Sequence, residues 1–363
     1  MSIIDRFIAR TFLASYMILL GVGIGLYIVA DLLVNLDEFI EDADLPPGAV
    51  LGTIADYYGS NIPLYFSQLA GPVMALAAAF TLAMMLRNNE LTALAAAGVP
   101  LQRSAVPILL CSVVLVGLWV VNQEFVIPPL AHKIARSHDD VLGTSTDGVY
   151  CAWDANNAIL TARRFNARDG VLEKLFIIEP NESGTPSYLV KADLATYDYE
   201  RRIWRLDVGR RIVMDNRAQT SGLGGRIEPQ EVIEHGFTLS PDDLVLRQGS
   251  QWASLLSLRQ MNGLIHGGGF ANLPTIVMSR HVRLTRPLLQ WILLALAIPF
   301  FLSREPISVV AAGGRALLLC GLFFGATFLA HGMIRESSAA LVAWMPILGF
   351  GPVAVLQMAN AKT

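Results

Sequence analysis

The chain has 363 residues, enough for two domains, and its composition excludes an ordinary soluble protein. Hydrophobic residues make up 53% of it and charged residues 16%, against roughly 25% charged residues in globular domains. The net charge of -3 gives no reason to expect a nucleic-acid partner. The sequence therefore predicts a membrane protein.

Six runs without Asp, Glu, Lys or Arg predict six transmembrane helices, which we number as spans one to six. The runs cover residues 11–30, 57–86, 104–123, 287–303, 316–334 and 337–361. A hydrocarbon core of ~30 Å needs about 17–25 helical residues. The second run is longer, so we interpret residues 57–67, with Pro63, as an interfacial approach to a span over 68–86. The first run is too long for a cleaved signal peptide, and no A-x-A site follows it.

Between spans three and four, residues with an ordinary density of charge show β patterning. The β-rich stretches read "AILTARRF", "LEKLFIIE", "YLVKADLATYDYERRIWRLDVGRRIVM" and "FTLSPDDLVLRQ". They predict an all-β sandwich or jelly roll, joined to span four by the flexible sequence "HGGGFANLP". The predicted fold is a bundle of six transmembrane helices with an inserted all-β, jelly-roll-like domain. Residues 1–124 hold spans one to three, 125–270 the β domain, and 271–363 spans four to six.

Charge at the ends of the spans predicts the orientation. One set of ends carries the positive side chains Arg6, Arg10, Arg87, Arg103, Arg304, Arg315 and Lys362. The opposite loop, "DEFIEDADLPPG" from Asp37, is acidic. The positive-inside rule therefore places both termini and the loop 87–103 in the cytoplasm and the β domain outside.

Motifs of common enzymes are missing from the sequence. No P-loop, H-E-x-x-H or G-x-S-x-G motif occurs, and the six histidines lack ligand spacing. Cys111 and Cys320 lie inside spans and Cys151 stands alone, so we expect neither a disulfide nor a metal cluster. We expect a chain without a catalytic site, a metal or a cofactor.

The loop "RNNELTALAAAGVPLQR", residues 87–103, predicts a short helix that Gly98 ends and that Pro100 prevents from continuing. Glu90 stands near the helix start, where the helix dipole favours an anion. The helix could be a knob that fits a groove on a soluble partner, since small side chains allow close approach. Alternatively, the alanines are ordinary helix formers in a turn, and Arg87 and Arg103 are interfacial anchors. The residues alone favour neither interpretation.

The segment "ELTALAAAGVPLQRSAVP" resembles the coupling-helix region of the LptF/LptG permeases of lipopolysaccharide-export ABC transporters. Other segments resemble that family in chain order: "IIDRFIARTF", "NQEFVIPPLAHKIAR", "KADLATYDYERRIWRL" and "RLTRPLLQWILLALAIPF". The layout of three spans, an outer β domain and three spans is also the family's own. The arrangement is more similar to LptG than to LptF.

The resemblance implies a half-transporter without its own ATPase site. An LptF-like permease would pair with it, an LptB-like cytoplasmic ATPase dimer would grip the coupling helices, and the lipid substrate would enter a cavity between the permeases. The β domains would pass the glycolipid to LptC/LptA-like bridge proteins. The resemblance implies a coupling helix over 87–100, with Glu90 as the charged contact, Leu91–Ala97 as packing surface and Gly98 as the stop. Its coupling residues are Arg87, Glu90, Leu91, Leu94 and Gly98.

A basic cluster, "SRHVRLTRP", lies at the predicted outer mouth of span four. Arg280, Arg283 and Arg286 recur at a spacing of three, and we expect them on one helix face that binds lipid phosphates. Anchoring to headgroups is the alternative. At the outer end of span one, where the family tends to have basic residues, this chain has the acids Asp31, Asp37, Glu38 and Glu41, which leaves a related glycolipid open as substrate. We interpret Asp31 as a solvated helix end.

Two other classes of protein fit the sequence less well. A membrane-anchored sensor or scaffold could bind a periplasmic ligand through the β domain and report it through the loop 87–103. Six spans exceed what an anchor needs, and small residues in spans two, five and six suit close packing around a cavity. A MacB-type permease would have four spans and its large domain after the first. These observations favour a transport permease.

Overall fold

The structure is a computed structural model, and its two compact units are described separately. It describes residues 3–36, 47–134, 148–154, 158–166, 169–181, 186–213, 230–241, 243–244, 252–267, 273–302, 309–332 and 339–360. The helical unit comprises Met1–Leu33, Ile62–Ile127 and Pro274–Thr363. The β unit comprises Val34–Asn61 and Pro128–Leu273.

Among the described residues, six helices are long and apolar enough to cross a membrane, which confirms the six predicted spans. The helices are α1 (Ile3–Val34), α2 (Pro47–Arg87), α3 (Glu90–Ala96), α4 (Ala105–Val121), α5 (Ile127–Ile134), α6 (Trp252–Leu255), α7 (Leu258–Gly267), α8 (Leu273–Ala297), α9 (Val309–Gly332) and α10 (Ala339–Asn360). Two 3₁₀ turns, Leu101–Ser104 and Ile298–Phe301, and a π-helix, Asn122–Val126, adjoin these helices.

Helix α2 is continuous over 41 residues, so residues 57–67 belong to the same helix as the span predicted over 68–86. Pro63 lies inside the helix and does not mark a boundary. Neighbouring side chains bond to the α2 backbone close to Pro63. The Asn122 amide donates to the Pro63 carbonyl at 2.9 Å, and the Trp119 indole donates to the Ser67 carbonyl at 2.9 Å. At a rise of about 1.5 Å per residue, α2 is about 60 Å long, which exceeds the hydrocarbon core.

The core of the helical unit begins on one face of α1. Ile8, Phe12 and Tyr16 recur every four residues and are almost fully buried, together with side chains of α2, α4 and α8. The other faces of α1 expose large apolar side chains such as Met17 and Leu26. Such outward apolar faces are expected of helices that contact lipid or another membrane chain.

The β unit contains an antiparallel sheet of eight strands among the described residues, which confirms the predicted insertion of a β domain. The strands are β1 (Val149–Trp153), β2 (Ile159–Asn166), β3 (Val171–Pro180), β4 (Pro186–Asp198), β5 (Ile203–Asp207), β6 (Arg210–Val213), β7 (Gln230–Glu231) and β8 (Glu234–His235). Strands β1 to β5 pair in sequence, and β8 pairs with β5. Strand β4 also pairs with β6 over Tyr188–Lys191 and with β5 over Leu194–Asp198. The described strands form one sheet, not the two sheets of a sandwich.

The strand predicted for "FTLSPDDLVLRQ" is wrong over its described part. Phe237 and Leu239 fill the domain core, but their backbone forms no strand, and residues 245–248 lie outside the described residues. Side chains compete here for the backbone amides. The Thr238 amide donates to the Asp154 carboxylate at 3.3 Å, and the Ser240 amide donates to Asp243 at 3.1 Å.

The predicted joint "HGGGFANLP" is only partly described. His266 and Gly267 belong to helix α7, and Leu273 and Pro274 begin α8. The intervening residues 268–272 fall outside the described part of the chain. Where the joint is described, its residues are therefore helical.

Replacing Gly209 with alanine is expected to destabilise the β unit by about 1–3 kcal/mol, because the added methyl overpacks the turn between β5 and β6. A Cβ at this position would lie 2.1 Å from the Val232 carbonyl oxygen, which is a backbone atom and cannot rotate away. Thermal unfolding of the full chain, followed by tryptophan fluorescence, measures the loss.

Gly236→Ala is the matched control, since a Cβ there meets no atom within 4 Å. Equal unfolding temperatures for the two variants would contradict the close approach at Gly209.

Candidate functional site: a polar layer in the helical unit and a capped loop helix

The three arginines of the basic cluster lie inside helix α8, which begins 14 residues before the predicted start of span four at residue 287. Arg283 is only 7% exposed, whereas Arg286 is exposed and Arg280 is half-buried. A spacing of three residues turns each side chain about 60° around a helix. The structure therefore does not bring the three arginines to one exposed face.

Arg283 is paired with Glu124 inside the helical unit. Its Nη1 donates to Glu124 Oε1 at 3.2 Å, and the two side chains are 6% and 16% exposed. A buried guanidinium is stable only with a partner of opposite charge and good geometry. This pairing occupies the charge that the sequence had suggested for a lipid phosphate.

The π-helix Asn122–Val126 explains how Glu124 reaches α8 while its neighbours reach α2. It is a local widening of the helix, a feature frequent at functional sites. Asn122 donates to the Pro63 carbonyl, and Gln123 accepts from the Ser67 hydroxyl at 2.5 Å. Three consecutive polar side chains thus connect one helix to two others.

We call Ser67, Asn122, Gln123, Glu124 and Arg283 the polar layer. Ser67 and Gln123 are 5% and 6% exposed, so the layer lies among buried apolar residues. Ionisable side chains within membrane segments are costly and mark functional positions by default. Sequence reasoning missed the layer, although the triplet "NQE" directly after an apolar run was a visible signal.

Helix α3 occupies the predicted coupling loop but is shorter than the predicted 87–100. Arg87 is the last residue of α2, and Glu90 is the first residue of α3. At the other end, Gly98 has a φ of 75°, its amide donates to the Ala95 carbonyl, and the Val99 amide donates to the Leu94 carbonyl. These two hydrogen bonds form a Schellman motif. The prediction that Gly98 ends the helix is confirmed.

The apolar side chains of α3 fall on its inner face. Leu91 is 2% exposed within the core of the helical unit, and Leu94 packs against that core. The exposed residues are Thr92, Ala93, Ala96 and Ala97. The packing surface predicted over Leu91–Ala97 is therefore divided, with the leucines anchoring the helix and the small residues facing outward.

The remaining sequence-based sites can be placed in part. Asp31 lies in the last turns of α1 and is half-buried, while Asp37, Glu38 and Glu41 lie outside the described residues. Within the described part of the chain, no group of three or more His, Cys, Asp or Glu side chains could hold a metal ion.

One family comparison covers nearly the whole chain. The sequence model described as "Lipopolysaccharide export system permease LptF/LptG" matches residues 6–359, without distinguishing LptF from LptG. A comparison with curated proteins gives no match. The match spans all six apolar helices and the inserted antiparallel sheet. The chain therefore belongs to the LptF/LptG family of lipopolysaccharide export permeases, multi-pass proteins of the inner membrane.

Proposed function

We propose that this chain is the permease subunit that extracts lipopolysaccharide, or a related envelope glycolipid, from the inner membrane. A second, LptF-like permease pairs with it, an LptB-like ATPase supplies the energy, and LptC/LptA-like proteins receive the lipid. The observation that carries the proposal is the family match over residues 6–359. Both termini face the cytoplasm and the β domain faces the periplasm, an orientation supported by the arginines at Arg6, Arg10, Arg87 and Arg103.

Helix α3 is the proposed contact for the ATPase. Leu91 fixes it to the helical unit, and the Schellman motif at Gly98 ends it sharply. Its exposed alanines allow a partner to approach closely, while Arg87 and Glu90 provide charge beside that surface. A short helix held in this way can transmit a push from a soluble subunit to the helices that carry it.

Arg286, with Arg280, is the proposed contact for lipid phosphates. Arg286 is exposed as a residue, and a guanidinium can form charge-assisted hydrogen bonds to phosphate oxygens. Arg283 has a structural role in this proposal, because Glu124 already neutralises its charge. In this proposal Arg283 stabilises the helical unit and Arg286 contacts the lipid.

Purification of the full chain with its partner permease and ATPase, followed by mass spectrometry of the retained lipid, tests the proposal. A stoichiometric ATPase together with an enriched glycolipid is the expected result. A preparation that retains only bulk phospholipid would overturn the substrate assignment.

Arg286→Gln is expected to reduce the retained glycolipid about tenfold or more, because a hydrogen bond to a charged group contributes roughly 1.5–3 kcal/mol. Membrane insertion and ATPase recovery should persist, since the exposed side chain is not part of the buried core. Lipid per mole of purified complex is the measurement. Arg315→Gln is the control, because it removes another exposed arginine from a spanning helix.

Photo-crosslinking separates phosphate binding from simple anchoring. A crosslinker at position 286 should capture the glycolipid, whereas one at Leu284, which is 47% exposed, should capture bulk phospholipid. The two positions lie about 200° apart around the helix. Equal capture of the glycolipid at both would leave Arg286 as an interfacial anchor.

A further inference from the structure

The β unit contains a cavity of about 400 Å³ that the transport proposal does not use. We call it the Glu179 pocket and define it by its polar lining, Asp154, Glu179, Tyr188, Arg211, Glu234 and His235. The volume is in the range of pockets that hold small ligands. All of these residues belong to the β unit, so the pocket is complete within it.

Glu179 holds the two basic side chains of the pocket in place. Its Oε2 accepts from Arg211 Nη2 at 2.8 Å, and its Oε1 lies 2.6 Å from His235 Nε2. The Arg211 guanidinium also lies over the Tyr188 ring, 4.0 Å from its centroid. The strand pairing of β3, β4 and β6 fixes the backbone of Glu179, Tyr188 and Arg211. The polar groups are therefore preorganised.

Two nitrogen atoms of this arrangement are buried and have no hydrogen-bond partner among the residues that the structure describes. They are Arg211 Nε, which can only donate, and His235 Nδ1, which donates or accepts according to its protonation. Buried polar atoms in folded proteins nearly always have a partner, so each such exception calls for an explanation. The Arg211 and His235 side chains therefore keep hydrogen-bonding capacity that the described residues do not use.

Charge in the pocket disfavours an ionic ligand. An anion would face three carboxylates, those of Asp154, Glu179 and Glu234. A cation would find these carboxylates engaged, because Glu234 pairs with Arg201 at 2.7 Å and Asp154 accepts from the Thr238 hydroxyl. The residues that the structure describes also include no metal-binding group of three or more acids, histidines or cysteines. A neutral ligand rich in hydroxyl groups fits the hydrogen-bonding groups of the pocket better than an ion does.

We propose that the Glu179 pocket binds a saccharide. Sugar hydroxyls both donate and accept, which matches an arginine donor, an imidazole and carboxylate oxygens in one cavity. The stacked Tyr188 and Arg211 groups supply a flat, rigid surface against which the apolar face of a sugar ring can pack. The saccharide is either the sugar portion of a transported glycolipid or a free sugar, and the pocket does not depend on the proposed transport function.

Titration of the full chain in lipid nanodiscs with lipid-free core oligosaccharide tests the proposal. The oligosaccharide is released from lipopolysaccharide by mild acid and is then dephosphorylated and carboxyl-reduced, so that it carries no charge. Isothermal calorimetry should show saturable binding. Arg211→Lys keeps the positive charge but removes Nε–H and the planar guanidinium, so it should weaken binding at least tenfold. Arg205→Lys, at an exposed arginine that pairs with Asp198, should leave it unchanged.

A second measurement covers the case in which Arg211→Lys disturbs the domain. In the unaltered chain, the ring signals of His235, assigned with His235→Gln, should shift on saturation with the oligosaccharide, while those of the exposed His266 stay fixed. Absence of saturable binding, equal affinity in both arginine variants, or an unmoved His235 signal would each overturn the proposal. Saturable binding of inorganic phosphate that depends on Arg211 would also overturn it and assign an anion site.

Intact lipopolysaccharide and free oligosaccharide, tested in parallel, distinguish the two sources. Competition between them for the pocket identifies the sugar portion of the glycolipid as a ligand. Binding of the free oligosaccharide without competition identifies a free sugar. Saccharide binding in a chain that retains no glycolipid would support the pocket and reject the transport proposal. Glycolipid retention in a chain that does not bind the saccharide would reject only the pocket.

Discussion

Glu124→Ala is expected to destabilise the helical unit by roughly 3–5 kcal/mol, because it leaves the Arg283 guanidinium buried without its counterion. Most of this loss of stability comes from leaving the Arg283 charge buried and unpaired, and less from losing its attraction to Glu124. Arg283 and Glu124 are 6% and 16% exposed, so water cannot replace the missing carboxylate. Thermal unfolding of the purified full chain in detergent measures the effect.

An exposed ion pair of the same chain provides the control. Lys174 and Asp193 lie closer together, at 2.6 Å, but both side chains are 58% exposed. The Lys174 side chain holds the pKa of the Asp193 carboxyl below its usual value. Asp193→Ala should nevertheless leave the unfolding temperature nearly unchanged, because exposed pairs are screened by water. If the two substitutions shift unfolding equally, burial does not govern the Glu124 pair.

Replacing both partners separates an unpaired charge from lost packing. The double variant Glu124→Leu and Arg283→Met removes both charges while keeping much of the volume, and such exchanges are often nearly neutral. We expect it to recover most of the stability that Glu124→Ala loses. A double variant as unstable as the single one would show that the cost comes from packing.

The sequence predicted the six spans and the presence of a β insertion, because both depend on local patterns. A run without charged residues identifies a span wherever it stands, and Phe12 and Tyr16 share a face by helical period alone. Boundaries were harder. Pro63 suggested a boundary, but α2 continues through it. Phe237 suggested a strand, but the backbone amide of the next residue, Thr238, bonds to the Asp154 carboxylate.

In the candidate site, too, local features were predictable and long-range contacts were not. The stop at Gly98 was predictable, since a glycine after a short helix favours the left-handed conformation that a Schellman motif requires. The pairing of Glu124 with Arg283 was not, because 159 residues separate the two in sequence. Periodicity gives the face of a helix on which a residue lies, but not which helix that face meets. The phosphate role predicted for Arg283 therefore could not take its pairing with Glu124 into account.

Glu90→Ala is expected to weaken binding of the partner ATPase by about 30-fold or more, since truncating one partner of a charged pair that becomes buried on binding costs roughly 2–5 kcal/mol. The helix itself should persist. Alanine is the best helix former, and neither the anchor at Leu91 nor the stop at Gly98 involves the Glu90 side chain. Recovery of the purified ATPase on immobilised permease, over a concentration series, gives the affinity.

Three further substitutions assign the effect to the Glu90 charge. Glu173→Ala removes an acid of the β unit that is 46% exposed and should leave ATPase binding unchanged. Gly98→Ala adds a Cβ that meets no atom within 4 Å but strains a backbone φ of 75°. It should therefore lower the stability of the helix end by only about 1–2 kcal/mol. Glu90→Gln should behave like Glu90→Ala if charge is decisive. Unchanged ATPase recovery from both Glu90 variants would remove the coupling role of α3 and leave Arg87 and Arg103 as interfacial anchors around an ordinary turn.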